Sequence, residues 1–317
     1  MKDLLSILQD FHKQKILVIG DIMLDHYLEG RVKRISPEAS IPIISVEKEW
    51  FAPGGAGNTV VNIRSLGGKA VLIGETGIGG DGQRLREELL WDIEQQLFGG
   101  QNTVVKFRIL HENKHVLRAD KDGPCKYSSP EFSKKLMDCV EERIKDCDAV
   151  LVSDYAKGLI AEDFARWLVY ISELHKKILI VDTKPKHFYW FKNCYCIKPN
   201  KIEAEKFTGI EINDLKDAER TGLKIKKELQ TNVLLTLGNL GMMLFEEEST
   251  THFSSNAKNV FDVTGAGDTV LATFGLALAS GAKIQQAVDL ANHAAAIVIA
   301  KSGTATVSFE ELKDSIS

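Results

Sequence analysis

The stretch "NVFDVTGAGDTVLATFGLALAS", beginning at Asn259, places two glycines and two aspartates where an apolar helix is about to start. Gly265 and Gly267 are poor helix formers, each costing roughly 1 kcal/mol relative to alanine inside a helix. Such residues are tolerated more readily where exposed backbone N–H groups are of use. With a helix starting near Ala266, the N–H groups of Gly265, Ala266 and Gly267 face outward from its positive end and form an anion hole that needs no lysine. Asp268 then stands beside the bound anion. That is an awkward place for a merely structural carboxylate and a suitable one for a base that takes a proton from an attacking hydroxyl. Positioning and charge stabilisation carry most of a phosphoryl transfer, so this pairing outlines that chemistry. An ordinary helix start capped by Asp262 or Thr264 fits the same spacing.

Other chemistries find less support. No stretch supplies the G-x-x-x-x-G-K-[ST] of a P-loop. "GIGGDG" (Gly77 to Gly82) matches G-x-G-x-x-G between a strand and a helix, as in dinucleotide enzymes. However, the next strand, read as "TVVKF", ends without the acidic residue that holds a ribose. Five cysteines, Cys125, Cys139, Cys147, Cys194 and Cys196, point to reduced thiols. The C-x-C pair at Cys194 and Cys196 has no second pair at zinc spacing.

The elements that must position these residues are short apolar strands alternating with helices. "KILVIGD" at Lys15 to Asp21 is followed by "AVLIGE", "DAVLVSD", "KILIVDT", "CYCIKPN" and "NVLLTLG". Helical stretches such as "EFSKKLMDCVEERIKD" and "AEDFARWLVYISELHKK" lie between them. The pattern predicts an α/β chain whose mainly parallel sheet is covered on both faces, with ligands at the carboxyl ends of its strands. Two segments break the alternation, His26 to Trp50 and Asn102 to Asp120. Both read as hairpin strands of a small inserted lid, which is also a candidate dimer surface through Ile41, Ile43 and Val46. One domain, 1–317, is expected. His293, among alanines, reads as a packed helix residue.

Lys plus Arg number 40 and Asp plus Glu 44, a formal charge of −4. This balance gives no general attraction to nucleic acid or anionic membrane, so an anion site must be local. No apolar run approaches the roughly 20 residues of a membrane helix, and the start lacks a signal-peptide core; a cytoplasmic protein is expected.

"DVTGAGDT" (Asp262 to Thr269) resembles the carboxyl-terminal signature of the ribokinase-like, or PfkB, sugar kinases. "PGGAGN" (Pro53 to Asn58) resembles their di-glycine signature, with Gly57 where alanine is expected. "KPNKIEAEKFTG" resembles their P-N-x-x-E motif, and "LTLG" (Leu235 to Gly238) fits as well, in family order across nearly the whole chain. The resemblance implies a three-layer α/β sandwich with a β-sheet lid. "RISPE" and "SDYAKG" narrow it to the kinases of ADP-heptose synthesis, in their stand-alone form. In that family ATP phosphorylates the anomeric oxygen of D-glycero-β-D-manno-heptose 7-phosphate. A kinase for another sugar or phosphosugar, or a catalytically silent binding protein on the same scaffold, are the competing readings.

The resemblance assigns roles residue by residue. Asp268 matches the family's base, and Gly265, Ala266 and Gly267 match its anion hole. Asn200 and Glu203 match the pair that organises Mg²⁺ through water. Thr236, Gly238 and Thr264 fall at nucleotide positions. Asp25, Gly54, Gly55 and Asn58 match positions contacting sugar hydroxyls, and Asp154 and Lys157 lie in the "SDYAKG" segment of the substrate side. Lys106 and Arg108, on one side of a lid strand, are candidates for the acceptor's phosphate, together with Arg34 and Arg118 on other lid strands. Backbone carbonyls of Asp262, Thr264, Val298 and Gly303 match a K⁺ site seen in the superfamily, a type of site that leaves little side-chain signature.

Overall fold

The computed structural model describes residues 3–100, 102–112, 114–122, 129–257 and 259–316, so Cys125 lies outside the described residues. Twelve strands run in chain order: β1 (Lys15–Ile35), β2 (Pro42–Gly55), β3 (Lys69–Gly77), β4 (Glu94–Gly100), β5 (Val104–His111), β6 (Lys114–Lys121), β7 (Ala149–Ser153), β8 (Ile178–Asp182), β9 (Cys196–Ile197), β10 (Asn232–Thr236), β11 (Met242–Phe245) and β12 (Thr250–Phe253). The main sheet has the order β12-β11-β10-β9-β8-β7-β1-β3-β4. It is parallel from β10 through β4 and antiparallel at β11 and β12.

Alternation along the strands builds two cores. Ile16 and Val18 of β1 face one apolar cluster, while Leu17 and Ile19 face the other. Successive side chains point to opposite faces of a strand, so an unbroken apolar run needs cover on both. On one face lie α1 (Leu4–Gln9), α2 (Ala56–Ser65), α8 (Ala266–Ala279), α9 (Ile284–Val298) and α10 (Phe309–Ile316). On the other lie α4 (Pro130–Ile144), α5 (Glu162–Leu174), α6 (Lys201–Thr208) and α7 (Leu215–Leu229), while α3 (Gly80–Arg84) is a short turn after β3. Helix α5 buries Phe164, Leu168 and Ile171 at helical spacing. Each such side chain contributes roughly 1.5–3 kcal/mol of burial. Helix α8 is buried almost all round, because α2 and α9 flank it and β7 lies beneath. That explains why its sequence is apolar without an exposed stripe.

The lid is not a pair of separate hairpins. β1 runs 21 residues without a break, leaving the main sheet near Asp21 and continuing into the lid. There it pairs antiparallel with β2 and parallel with β5, and β5 pairs with β6. Sequence reasoning also passes over β4. The strand after the "GIGGDG" turn is Glu94–Gly100, paired to β3, and not "TVVKF", which is the lid strand β5. Its alternating "EQQLFGG" is short and weakly apolar, so periodicity gives it little weight.

The first strand lies between β3 and β7, so connections leave it toward both edges of the sheet. Open α/β sheets bind ligands at such a switch point, beyond the carboxyl ends of the strands. Asp21, Ser153, Asp182 and Thr236 sit at or beside those ends.

Candidate active site

Helix α8 begins at Ala266, with Gly265 as N-cap at φ 80° and no side chain capping the first turn. The alternative of a helix capped by Asp262 or Thr264 is therefore not what the chain does. The Asp262 carboxylate instead accepts from the backbone N–H of Thr264 at 2.9 Å and of Gly303 at 3.1 Å, tying the loop before α8 to the loop after α9. Burial works against that carboxylate, but these bonds and His115 at 3.2 Å outweigh it and hold its pKa below the ordinary value. Val298 is buried at the end of α9 beside this junction. No side chain caps these N–H groups, but that of Ala266 donates to the Val263 carbonyl at 3.2 Å, so of the three expected anion-hole donors only those of Gly265 and Gly267 are without an acceptor among the described residues.

Asp268 occupies the third helical position and is only 3 % exposed. Asn58 Nδ2 donates to one of its carboxylate oxygens at 2.9 Å, and the Tyr155 hydroxyl to the other at 3.0 Å. Burial is the largest influence on its pKa, which is pushed up to about 6 with the charge of Asp182 adding to the rise. Asn58, Tyr155 and Lys198 oppose it. The result is a carboxylate that is ionised at neutral pH yet closer in pKa to a working base than an exposed aspartate. Asn58 is itself fixed by Asn62, which donates to its side-chain oxygen at 3.1 Å, and Thr269 donates to Asn62 at 3.0 Å.

Gly55 holds φ 61° at the junction of β2 and α2, where a Cβ would stand 2.4 Å from the Asp21 carbonyl oxygen; only glycine turns the chain there. Gly54 packs against Asp25, and a Cβ on it would lie 3.0 Å from that carboxylate. Asp25 is buried and accepts from Arg108 at 2.9 Å and from Thr304 Oγ1 at 2.9 Å. Tyr27 bonds Thr304 in turn, at 2.7 Å to its hydroxyl and 2.8 Å from its backbone N–H.

The candidate cations for the acceptor's phosphate divide. Arg108 is committed to Asp25, Arg118 to Asp120 at 2.5 Å and Lys157 to Asp122 at 2.6 Å. Lys106, opposite Asp25 in the β1–β5 register, has no carboxylate within ion-pair distance among the described residues and lies 4.9 Å from the Tyr155 ring centroid. Burial lowers its pKa. Arg34 is not brought to the site. It is exposed near the outer end of β1, nine residues beyond Asp25 and hence roughly 30 Å further along the strand. Asp154 is also turned away from the cleft: its carboxylate accepts from Ala156 N–H at 2.8 Å and Thr183 Oγ1 at 2.5 Å, and His187 Nδ1 lies at 2.6 Å.

On the other side of Asp268, Asn200 and Glu203 form a reciprocal cap on α6. Glu203 N–H donates to Asn200 at 2.9 Å and Asn200 N–H to Glu203 at 3.0 Å, while Lys184 pairs with Glu203 at 2.7 Å. Both side chains are locked by each other, which suits oxygens that orient metal-bound waters better than direct ligands. Among the described residues, no group of three or more His, Cys, Asp and Glu gathers as a metal site. Beside them a cavity of about 390 Å³ opens between β10, β11 and helices α8 and α9. Thr236, Gly238 and Gly267 line its polar end, and Val260, Val263, Ala296 and Ile299 its apolar walls. An apolar slot ending at a helix N-terminus suits a planar base attached to phosphates. Thr264 lies on the loop just before the helix, half-buried.

Several residues of this arrangement escape sequence reasoning. Lys198 is 3 % exposed and pairs with Asp182 at 2.7 Å. Burial lowers its pKa, but the adjacent Asp182 more than compensates, so it stays above the ordinary value and charged. A Cβ on Gly267 would lie 3.5 Å from its ammonium, so a buried cation faces the anion hole that spacing alone describes as lysine-free. Lys184, Tyr155 and Thr304 are also missed. The available signal was positional: Asp182 ends a strand at the ligand end of the sheet, and Lys198 precedes the P-N motif directly. His293 is half-buried on α9, with Asp289 at 4.0 Å.

Against known proteins, the pattern of the pfkB family carbohydrate kinases matches residues 13–311. The bifunctional protein HldE of Desulfatibacillum aliphaticivorans is 40% identical over 311 residues, covering 96% of this chain and 63% of that protein. Its namesake from Nitratiruptor sp. is 38% identical over 305 residues, covering 95% and 65%. The chain thus spans a little under two thirds of the length of these curated relatives. Among solved structures, phosphofructokinase-2 from Escherichia coli in complex with potassium superposes with a TM-score of 0.79 at 19% identity, over 96% of this chain and 98% of that one. Ribokinase of Arabidopsis thaliana complexed with ribose and ATP gives 0.74 at 18%, over 96% and 98%. These superpositions bear out the ribokinase-like α/β sandwich expected from the sequence. With the family pattern spanning the site from β1 to α10, and relatives well above 30% identity along nearly all of it, the chain belongs to the pfkB family of carbohydrate kinases and is a sugar kinase.

Proposed function

We propose that this kinase uses Mg-ATP to phosphorylate the anomeric hydroxyl of D-glycero-β-D-manno-heptose 7-phosphate. The observation that carries the kinase chemistry is Asp268, buried, held on both oxygens and seated at an uncapped helix start beside the charged Lys198. ATP supplies the phosphoryl group, and Mg²⁺ offsets charge on its phosphates. Asp268 accepts the proton of the acceptor hydroxyl as that oxygen bonds to the γ-phosphorus and the bond to the leaving ADP breaks. The N–H groups at the start of α8, with Lys198, take up the charge on the transferring group. Asn200 and Glu203 orient metal-bound water, and the slot beside Val260 and Ile299 takes the base. A monovalent cation on carbonyls of Asp262, Thr264, Val298 and Gly303 belongs to the same proposal, favoured by the way the Asp262 carboxylate draws the two loops together.

The heptose assignment is supported by the "RISPE" and "SDYAKG" segments and by Lys106, a half-buried cation beside Asp25 with no ion-paired carboxylate among the described residues. A sugar phosphate supplies the missing anion. ADP release is the direct measurement, with this heptose phosphate, fructose 6-phosphate, fructose 1-phosphate, ribose and adenosine as acceptors. Turnover with the heptose phosphate at least a hundredfold above the others is expected. Preference for any other acceptor removes the heptose assignment and keeps the kinase.

A homodimer through the lid is part of the proposal. Ile41 and Val46 are more than half exposed, and with Leu28, Ile44, Ile109 and Leu117 they line one apolar groove of the lid. A second copy laid on this face buries the groove on both chains by two-fold symmetry. Light scattering after gel filtration is expected to give twice the mass of 35.2 kDa, and Ile41→Glu with Val46→Glu to halve it. No helix among the described residues is long and apolar enough to cross a membrane.

A further inference from the structure

We propose that Tyr155 is a positioning residue of the transfer reaction: its hydroxyl fixes the Asp268 carboxylate, and a buried network ending at Asp21 and Asp154 exists to aim it. The inference rests on the reading of Asp268 as the base and deepens it.

The loop after β7 is held with unusual thoroughness. The Asp21 carboxylate accepts from the backbone N–H of Tyr155 at 2.8 Å and of Lys157 at 3.0 Å. Asp154 N–H donates to the Asp182 carbonyl at 2.8 Å, and the Asp154 carboxylate accepts from Ala156 N–H and Thr183 Oγ1. His187, which pairs with that carboxylate, is stacked on Trp190 with ring centroids 3.7 Å apart. Asp21, Asp154 and His187 are all buried. Ala156 is left with φ 57°, a conformation a non-glycine residue adopts only when its surroundings impose it. Two buried carboxylates are costly, and a loop of plain structural purpose does not require them. What they deliver is one side chain at the centre of the site.

That side chain touches both halves. The Tyr155 hydroxyl donates to Asp268 at 3.0 Å, and its ring centroid lies 4.9 Å from Lys106 on the acceptor side and 4.7 Å from Lys184 beside Glu203. Burial, with the charges of Asp268 and Asp182, raises the phenol pKa well above its ordinary value, so Tyr155 remains a donor throughout the working pH range. Asn58 holds one oxygen of the base and Tyr155 the other, so the carboxylate cannot rotate away from the acceptor hydroxyl. The charged groups that face Asp268 are Asp182 from β8, Lys198 following β9 and Lys106 from β5, all of which stay in place when the phenol oxygen is removed.

The test compares wild type, Tyr155→Phe and a protein carrying 3-fluorotyrosine at position 155, a more acidic and hence stronger donor. In ¹³C-carboxyl-labelled aspartate spectra, the Asp268 signal is assigned by its loss in Asp268→Asn. Tyr155→Phe is expected to move its midpoint up by about one pH unit, since a hydrogen bond to the charged form is lost, and 3-fluorotyrosine to move it down. With the acceptor that wild type uses best, Tyr155→Phe is expected to lower plateau kcat about tenfold and to move the acidic limb up together with the carboxyl midpoint. A lower plateau with both midpoints unmoved overturns the proposal, because that is what a merely structural loop gives. The carboxyl titration does not depend on turnover, so a wild type inactive with every acceptor defeats the functional reading while Tyr155 is still judged by its own shift.

Discussion

Asp268→Asn is expected to lower kcat by about 10²- to 10⁴-fold while raising the melting temperature at pH 7 by a few degrees. The two effects share a cause. Asp268 is buried, and its pKa rises from 3.8 to about 6, so its charged form is strained in the folded state by an amount on the order of 3 kcal/mol. Asparagine removes the charge and keeps the shape: its carbonyl accepts from Asn58, and the Tyr155 hydroxyl turns to accept from its amide. The sign of the pH dependence follows from a folded pKa above the unfolded one. The folded state binds the proton more tightly, so the stabilising share of this group is full below about pH 4 and lost as pH rises through 6. The stability gap between the variant and wild type should therefore be largest at pH 7 and close as pH falls toward 4. Activity runs the other way, with wild-type kcat/KM falling below about pH 6 as the base is protonated. Thermal melts across pH 4–8, read beside ADP release, check both arms. A variant that keeps a tenth of wild-type kcat removes Asp268 from the role.

What the sequence discloses and what it hides divide along a physical line. Strands buried on both faces leave continuous apolar runs, and the start of α8 leaves two glycines among apolar residues, so the sheet, the helices and the uncapped start of α8 are legible. Contacts made across long sequence separations are not. Asn58 reaches Asp268 over 210 positions and Thr304 reaches Asp25 over 279, and no local pattern encodes either. The candidate cations show the same limit. Arg34, Lys106, Arg108, Arg118 and Lys157 look equivalent as residue types, yet neighbouring carboxylates occupy three of them, one lies over Tyr155 without an ion-paired carboxylate among the described residues, and one is carried away along a 21-residue strand. Lys198 was hidden for the opposite reason, since a lysine that is almost fully buried is so rare that sequence reasoning assigns it to the surface by default.

Gly267→Ala separates a glycine kept for its ligand from one kept for its backbone. A Cβ on Gly267 meets only Lys198 Nζ at 3.5 Å and Asp182 Oδ2 at 3.8 Å, both ordinary contacts, and the residue lies in the first turn of α8 in helical conformation. Alanine there is favoured over glycine by up to about 1 kcal/mol, so the fold should be as stable or slightly more so. Yet the methyl group would stand 3.5 Å from the Lys198 ammonium at the start of α8, where the proposed reaction puts the transferring phosphoryl group. A displacement of about 1 Å in such a step costs on the order of 10²-fold, and that loss is expected in kcat/KM at an undiminished melting temperature. Gly265→Ala should behave differently. At φ 80° the residue would be strained, and its Cβ would lie 2.7 Å from Asn58 Nδ2, the donor that holds Asp268. That variant should lose stability and activity together. An active and more stable Gly267→Ala enzyme would mean that the start of α8 carries no anion, and the phosphate would then have to be held by Lys198 and Lys184 alone.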